Sequence, residues 1–129
     1  MNVLLLTDTH GSFKTIKKLT SLLKITIIDC IIHAGDFSHF GRYYEQLFDL
    51  ISEADIPIVF CSGNHESKLL CENISKKYSN AKYIDYKIIL LNNIAIAGIP
   101  GCDIFYKERR NNIYKFSTEF KINRSVVSG

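Results

Sequence analysis

Three short polar clusters hold the residue types best suited to chemistry: Asp8-Thr9-His10, Gly35-Asp36 and Gly63-Asn64-His65-Glu66. Asp8 and Asp36 offer carboxylate oxygens, His10 an imidazole nitrogen and Asn64 an amide oxygen, a mixed set that suits hard or borderline divalent metals. Asp36 could bridge two ions, and two ions about 3.5–4 Å apart can activate a water and clamp a phosphoryl group for in-line attack. His65 would then lie beside the metals without being a ligand, placed to protonate a departing alkoxide or to stabilise transition-state charge.

These clusters must be brought together by the elements before them. Each follows a short apolar run: residues 2–7, Ile27 to Ala34, and Ile58-Val59-Phe60-Cys61 after Pro57. Such runs read as buried strands. Between them, Ser12 can cap a helix with apolar positions Phe13, Ile16, Leu19, Leu22 and Leu23, and a second helix pattern spans Tyr43–Ala54. The gaps between clusters, 24 residues from His10 to Gly35 and 26 from Asp36 to Gly63, fit one strand–helix unit each. The expectation is a βαβαβ unit with parallel pairing, whose strand carboxyl ends form one crevice. A third helix is expected over residues 66–78, then strands at Ala81–Asp85, Tyr86–Leu91 and Ile94–Gly98, the last two joined by a hairpin turn at Asn92-Asn93. A weak helical pattern covers 117–127, and no linker or repeat divides residues 1–129, so a single domain is expected.

Composition narrows the classes. Of 129 residues 47% are hydrophobic and the net charge is only +3, which argues against disorder. No apolar run approaches the length of a membrane span. The opening run lacks a basic flank and stops at Thr7-Asp8, unlike a signal peptide, so a cytoplasmic, soluble protein without membrane contact is expected. Cys30, Cys61, Cys71 and Cys102 are scattered, which suggests neither disulfides nor a thiolate zinc site, and Cys30 and Cys61, in apolar runs, read as small core residues. Residues 104–129 carry 6 Lys/Arg against 2 Asp/Glu. The pair Arg109-Arg110 suits phosphate or nucleic acid, but a solvated surface explains it as well.

The order D-x-H, G-D, G-N-H-[D/E] resembles the signature of the calcineurin-like metallophosphoesterases, and Asp8-Thr9-His10, Gly35-Asp36 and Gly63-Asn64-His65-Glu66 match it without a substitution. Ile32-His33-Ala34-Gly35-Asp36 is similar to the small prokaryotic phosphodiesterase-like members. The resemblance covers roughly residues 1–101. It implies an α/β fold, a metallophosphoesterase-like αββα sandwich, and a metal-dependent phosphoester hydrolase. It further implies Asp8, His10 and Asp36 at a first ion, Asp36 and Asn64 at a second, and His65 as acid or phosphate contact. The ions would be Mn²⁺, or alternatively Fe, Zn²⁺ or Ni²⁺. The substrate would be a phosphorylated small molecule or a phosphodiester.

The pattern is then broken. The family supplies three further histidine ligands from its second half, whereas no histidine follows His65 here. The expectation is an incomplete fold, the βαβαβ half plus a β-hairpin, holding two ions, one or none, with reduced or no activity. Asp103 or Cys102 could stand in as ligands. An apolar sheet face would lie open to a second copy or another partner. A non-catalytic binding module derived from the family is therefore the alternative, and nucleic-acid binding by the basic tail a weaker one.

Several of these residues also have plain structural readings. Asp8 and His10 alone could cap the first helix. His33, inside a strand, reads as a satisfied core histidine, and His39 as a surface group near the cleft. Glu66 reads as the start of the third helix, and Tyr43, Tyr44, Tyr83 and Tyr86 as partly buried packing groups.

Overall fold

The computed structural model describes residues 1–101. In chain order these form β1 (Val3–Leu6), α1 (Phe13–Ile25), β2 (Cys30–His33), α2 (Glu45–Glu53), β3 (Ile58–Phe60), α3 (Lys68–Lys77), β4 (Ala81–Tyr83), β5 (Ile88–Leu91) and β6 (Ile94–Ala97). Local chemistry sets two helix starts: Ser12 Oγ accepts the Thr15 amide, and Ser67 Oγ accepts that of Leu70. The third helix thus begins at Lys68, behind Ser67, and Glu66 is left outside it. The expected helix at 117–127, together with Cys102, Asp103 and Arg109-Arg110, lies outside the described residues.

The first four strands pair in parallel in the order β1-β2-β3-β4. Their register decides where the chemistry sits. Leu6 pairs with His33, His33 with Phe60, and Phe60 with Tyr83, so one row crosses the sheet at its carboxyl edge. All three polar clusters leave the sheet within a few residues of that row.

Side chains alternate between the faces, as a pleated strand requires. Ile31, Ile58, Phe60 and Ala81 join Leu19, Leu47, Phe48, Ile51, Cys71 and Ile74 in one core, so all three helices cover one face. Phe37, Phe48 and Phe60 meet edge to face there, with ring centroids 5.2–5.5 Å apart. On the other face Cys30, Val59 and Ile84 pack under Ile89, Leu91 and Ile96 of the β5–β6 hairpin. That hairpin is antiparallel, and Asn92 and Asn93 both adopt positive φ, as a type I′ turn requires. On β1 the same face carries Val3 and Leu5, both exposed, Leu5 at 71%.

The architecture is thus mixed α/β, a parallel four-stranded sheet plus an antiparallel hairpin, as a metallophosphoesterase-like fold implies. The strands after α3 are shorter than expected. Tyr86 at φ 56° interrupts the extended run, and Asp85 pairs with Gly98 instead of prolonging β4. No helix among the described residues is long and apolar enough to cross a membrane.

Candidate metal centre

Beyond the last sheet row, the loops after β1 and β2 keep pairing. The amides of Asp8, His10 and Gly11 donate to the carbonyls of Gly35, Asp36 and Phe37 at 3.0, 3.0 and 3.1 Å. The two loops therefore run side by side and carry Asp8, His10 and Asp36 into one place. One ligand atom from each lies within 4.8 Å of the other two. All three residues adopt left-handed backbone, at φ 53°, 47° and 56°. For residues with a Cβ that costs on the order of 1 kcal/mol each, and such strain gathers where function fixes side-chain direction.

Their hydrogen bonds prepare the donor atoms. Thr7 Oγ1 donates to Asp8 Oδ2 at 2.6 Å, and this bond above all holds the Asp8 carboxyl below its ordinary pKa. His10 Nδ1 faces the Ser38 carbonyl at 3.3 Å, so the proton belongs on Nδ1 and the Nε2 lone pair is free, 3.6 Å from Asp8 Oδ1. A ligand histidine needs that tautomer.

The loop after β3 adds Asn64 and His65. The His65 amide donates to Asp36 Oδ1 at 3.0 Å. The Asn64 side chain meets the same carboxylate. With its nitrogen turned inward it donates to Asp36 Oδ2 and Oδ1 at 2.8 and 3.0 Å. With its oxygen inward, three oxygens converge with no proton between them, an arrangement that a cation stabilises. The residues present therefore fit divalent ions around Asp36. A Cβ on Gly63 would overlap the Asp36 carboxylate, so glycine is needed there for space. Cys61 is not a competing soft ligand, since burial pushes its thiol up to about 12.

The His65 ring has two close ring neighbours. Phe40 stacks on one face, centroids 4.1 Å apart and planes at 14°, and the His10 ring lies 4.7 Å away. His39 is exposed, with its ring 6.3 Å from that of His65, and is not part of the Asp8-His10-Asp36 cluster. Tyr43 is also exposed, contrary to its reading as a packing group: its Cβ and carbonyl rest against Gly11, and its backbone is left-handed at φ 63°.

Two carboxylates escaped the sequence reading. Glu66 does not start a helix. It is buried and accepts the amides of Asp36 (2.8 Å), Gly63 (3.0 Å) and Ser38 (3.3 Å), and the Ser38 hydroxyl at 2.5 Å. Asp85 accepts the Ser62 amide and hydroxyl and the Tyr83 hydroxyl, at 2.9, 2.5 and 2.6 Å. Only the D/E at the fourth position of the third cluster hinted at the first. His33 is, as expected, a buried, satisfied group: Gly35 N–H donates to Nδ1 at 3.1 Å, leaving the Nε2 proton to Thr9 Oγ1 at 2.9 Å.

A family model described as calcineurin-like phosphoesterase matches residues 1–126. Among solved structures, TT1561 of Thermus thermophilus is similar at a TM-score of 0.70 and 16% identity, over 93% of this chain and 62% of that one. This chain therefore spans less than two thirds of that protein, and at such identity the likeness speaks for the fold. A protein of unknown function from Aquifex aeolicus, AQ665, is similar at a TM-score of 0.51 and 25% identity, over 94% of this chain and 73% of that one. No curated protein matches the chain.

Proposed function

The chain belongs to the calcineurin-like phosphoesterase family, and from that premise we propose that it is a metal-dependent phosphoester hydrolase acting at the carboxyl edge of the parallel sheet. The observation that carries this reading is the convergence of Asp8, His10 and Asp36 within 4.8 Å, each in left-handed backbone. Asp8, His10 and Asp36 would hold a first divalent ion, and Asp36 and Asn64 a second. When bound, the ions supply an activated water and neutralise phosphoryl charge.

The chain's own residues supply the rest. Asp36 is oriented from both ends, through its amide to Glu66 and its carboxylate to the His65 amide, so its oxygens are set before any ion arrives. His65 donates a ring N–H hydrogen bond to the ester oxygen and stabilises the charge gathered there as the P–O bond breaks. A water oxygen, its proton lost to solvent, forms the new bond to phosphorus on the opposite side, and the alkoxide leaves to take a proton from solvent. Asp8, with its lowered pKa, stays anionic through the neutral range. Manganese is the ion proposed, phosphodiesters the first substrates to try, and the cytoplasm the site of action.

The test is hydrolysis of bis(4-nitrophenyl) phosphate by the purified chain. Turnover that needs Mn²⁺, stops with chelator and is lost in Asp36→Asn is expected. Turnover indifferent to Mn²⁺ and chelator, or absent under all metals, overturns the proposal.

A further inference from the structure

Residues 39–42 form a tight turn beside the candidate centre. The His39 and Arg42 backbones exchange hydrogen bonds at 2.8 and 3.1 Å, with Phe40 (φ 52°) and Gly41 (φ 84°) at the tip. Two positive φ values make a type I′ turn, whose first central position favours Asn, Asp or Gly. Phenylalanine is strained there by its β-carbon, and it is 69% exposed, so neither turn chemistry nor burial explains it. What the ring does is stack face to face on His65, while the Phe40 amide points at His65 Nδ1 at 3.5 Å.

We infer that Phe40 is a positioning and specificity residue, which holds the His65 ring and extends it into an aromatic platform for a phosphoester whose leaving alcohol is an aryl group. This rests on the phosphoesterase reading. The Phe40 amide directed at Nδ1 leaves Nε2 on the side of the ring away from the turn. The leaving oxygen must come to that nitrogen. A flat ring joined directly to that oxygen falls beside Phe40, whose centroid is 4.1 Å from that of His65. A base held at the far side of a sugar would lie several bonds further off. The Phe40 ring also meets that of His39, centroids 5.0 Å apart, and is otherwise largely exposed.

The variant Phe40→Asn separates this role from folding, because asparagine suits the turn. The probes are phenylphosphonate and methylphosphonate, titrated calorimetrically into the Mn²⁺-loaded chain. The wild type is expected to bind phenylphosphonate about three- to tenfold more tightly than methylphosphonate, the worth of one ring stack. Phe40→Asn is expected to lose that preference and melt no lower than wild type, and Phe40→Tyr to retain the preference. Equal binding of the two probes by wild type, or a preference unchanged in Phe40→Asn, overturns this inference alone. Adenosine 5′-monophosphate preferred over ribose 5-phosphate by a Phe40-dependent margin, with no phenyl preference, overturns the aryl assignment. Binding of neither phosphonate overturns the phosphoesterase reading and this inference with it.

Discussion

Glu66 Oε1 accepts the Asp36 amide at 2.8 Å, and the same oxygen accepts Gly63 at 3.0 Å. One buried carboxylate therefore ties the end of β2 to the end of β3, the two places from which Asp36 and Asn64 are presented. Its second oxygen takes the amide and hydroxyl of Ser38. A carboxylate is the one side chain that accepts four donors without offering any.

Glu66→Gln is accordingly expected to cost about 1–2 kcal/mol, since the amide oxygen can keep Asp36 and Gly63 while its nitrogen confronts the Ser38 amide. Glu66→Ala leaves all three backbone amides unpaired and should cost about 3–5 kcal/mol. Urea unfolding of the metal-free chain checks both. Equal stability of the two variants would mean that water replaces the carboxylate.

Gly63→Ala tests close approach. The added Cβ would overlap the Asp36 carboxylate and amide, so Asp36 must move. A loss of about 1–3 kcal/mol is expected, together with weaker Mn²⁺ binding. Gly41→Ala is the contrast: its Cβ finds Leu70 at a comfortable 3.7 Å, and only the positive φ is penalised. Calorimetric Mn²⁺ titration should separate the two, with Gly41→Ala binding as wild type does.

The contrast between legible and hidden features follows from how each is encoded. The apolar runs that became β1, β2 and β3, and the Asn92-Asn93 turn, are local patterns, and the structure has them where the pattern ends. Asp8, His10, Asp36 and Asn64 could be picked out because each closes such a run. Glu66 and Asp85 could not, since their partners Asp36, Ser38 and Ser62 lie 23 to 30 residues away and no periodicity links them. Phe40 was invisible for a related reason: its meaning lies in a turn type and in a ring 25 residues downstream. The helix expected from residue 66 starts at Lys68 because Ser67 is the better cap.

Asp36→Asn should uncouple metal binding from folding. Asparagine keeps an oxygen for the His65 amide and its own amide for Glu66, so unfolding should change by less than about 1 kcal/mol. It loses the anionic oxygen that the proposed metal site draws from Asp36. Mn²⁺ affinity is expected to fall by more than about tenfold, beyond the usual effect of a partner that only orients a ligand. Wild-type affinity in the variant would place the ion elsewhere.

His33 predicts an acid limit on stability. Its burial, relieved in part by the charge of Asp8, lowers its pKa from 6.5 to about 4, and both ring nitrogens are engaged as a neutral imidazole. Below pH 6.5 the unfolded chain takes up a proton that the folded chain refuses until about pH 4. The unfolded state thus binds more protons across that window, so stability falls as pH falls through it and is constant, for this group, above it. The full span amounts to about 3 kcal/mol. His33→Asn has no proton to refuse, and urea midpoints of its metal-free form should lose this component of the slope between pH 6.5 and about 4. An unchanged slope would assign the acid sensitivity to the carboxylates instead.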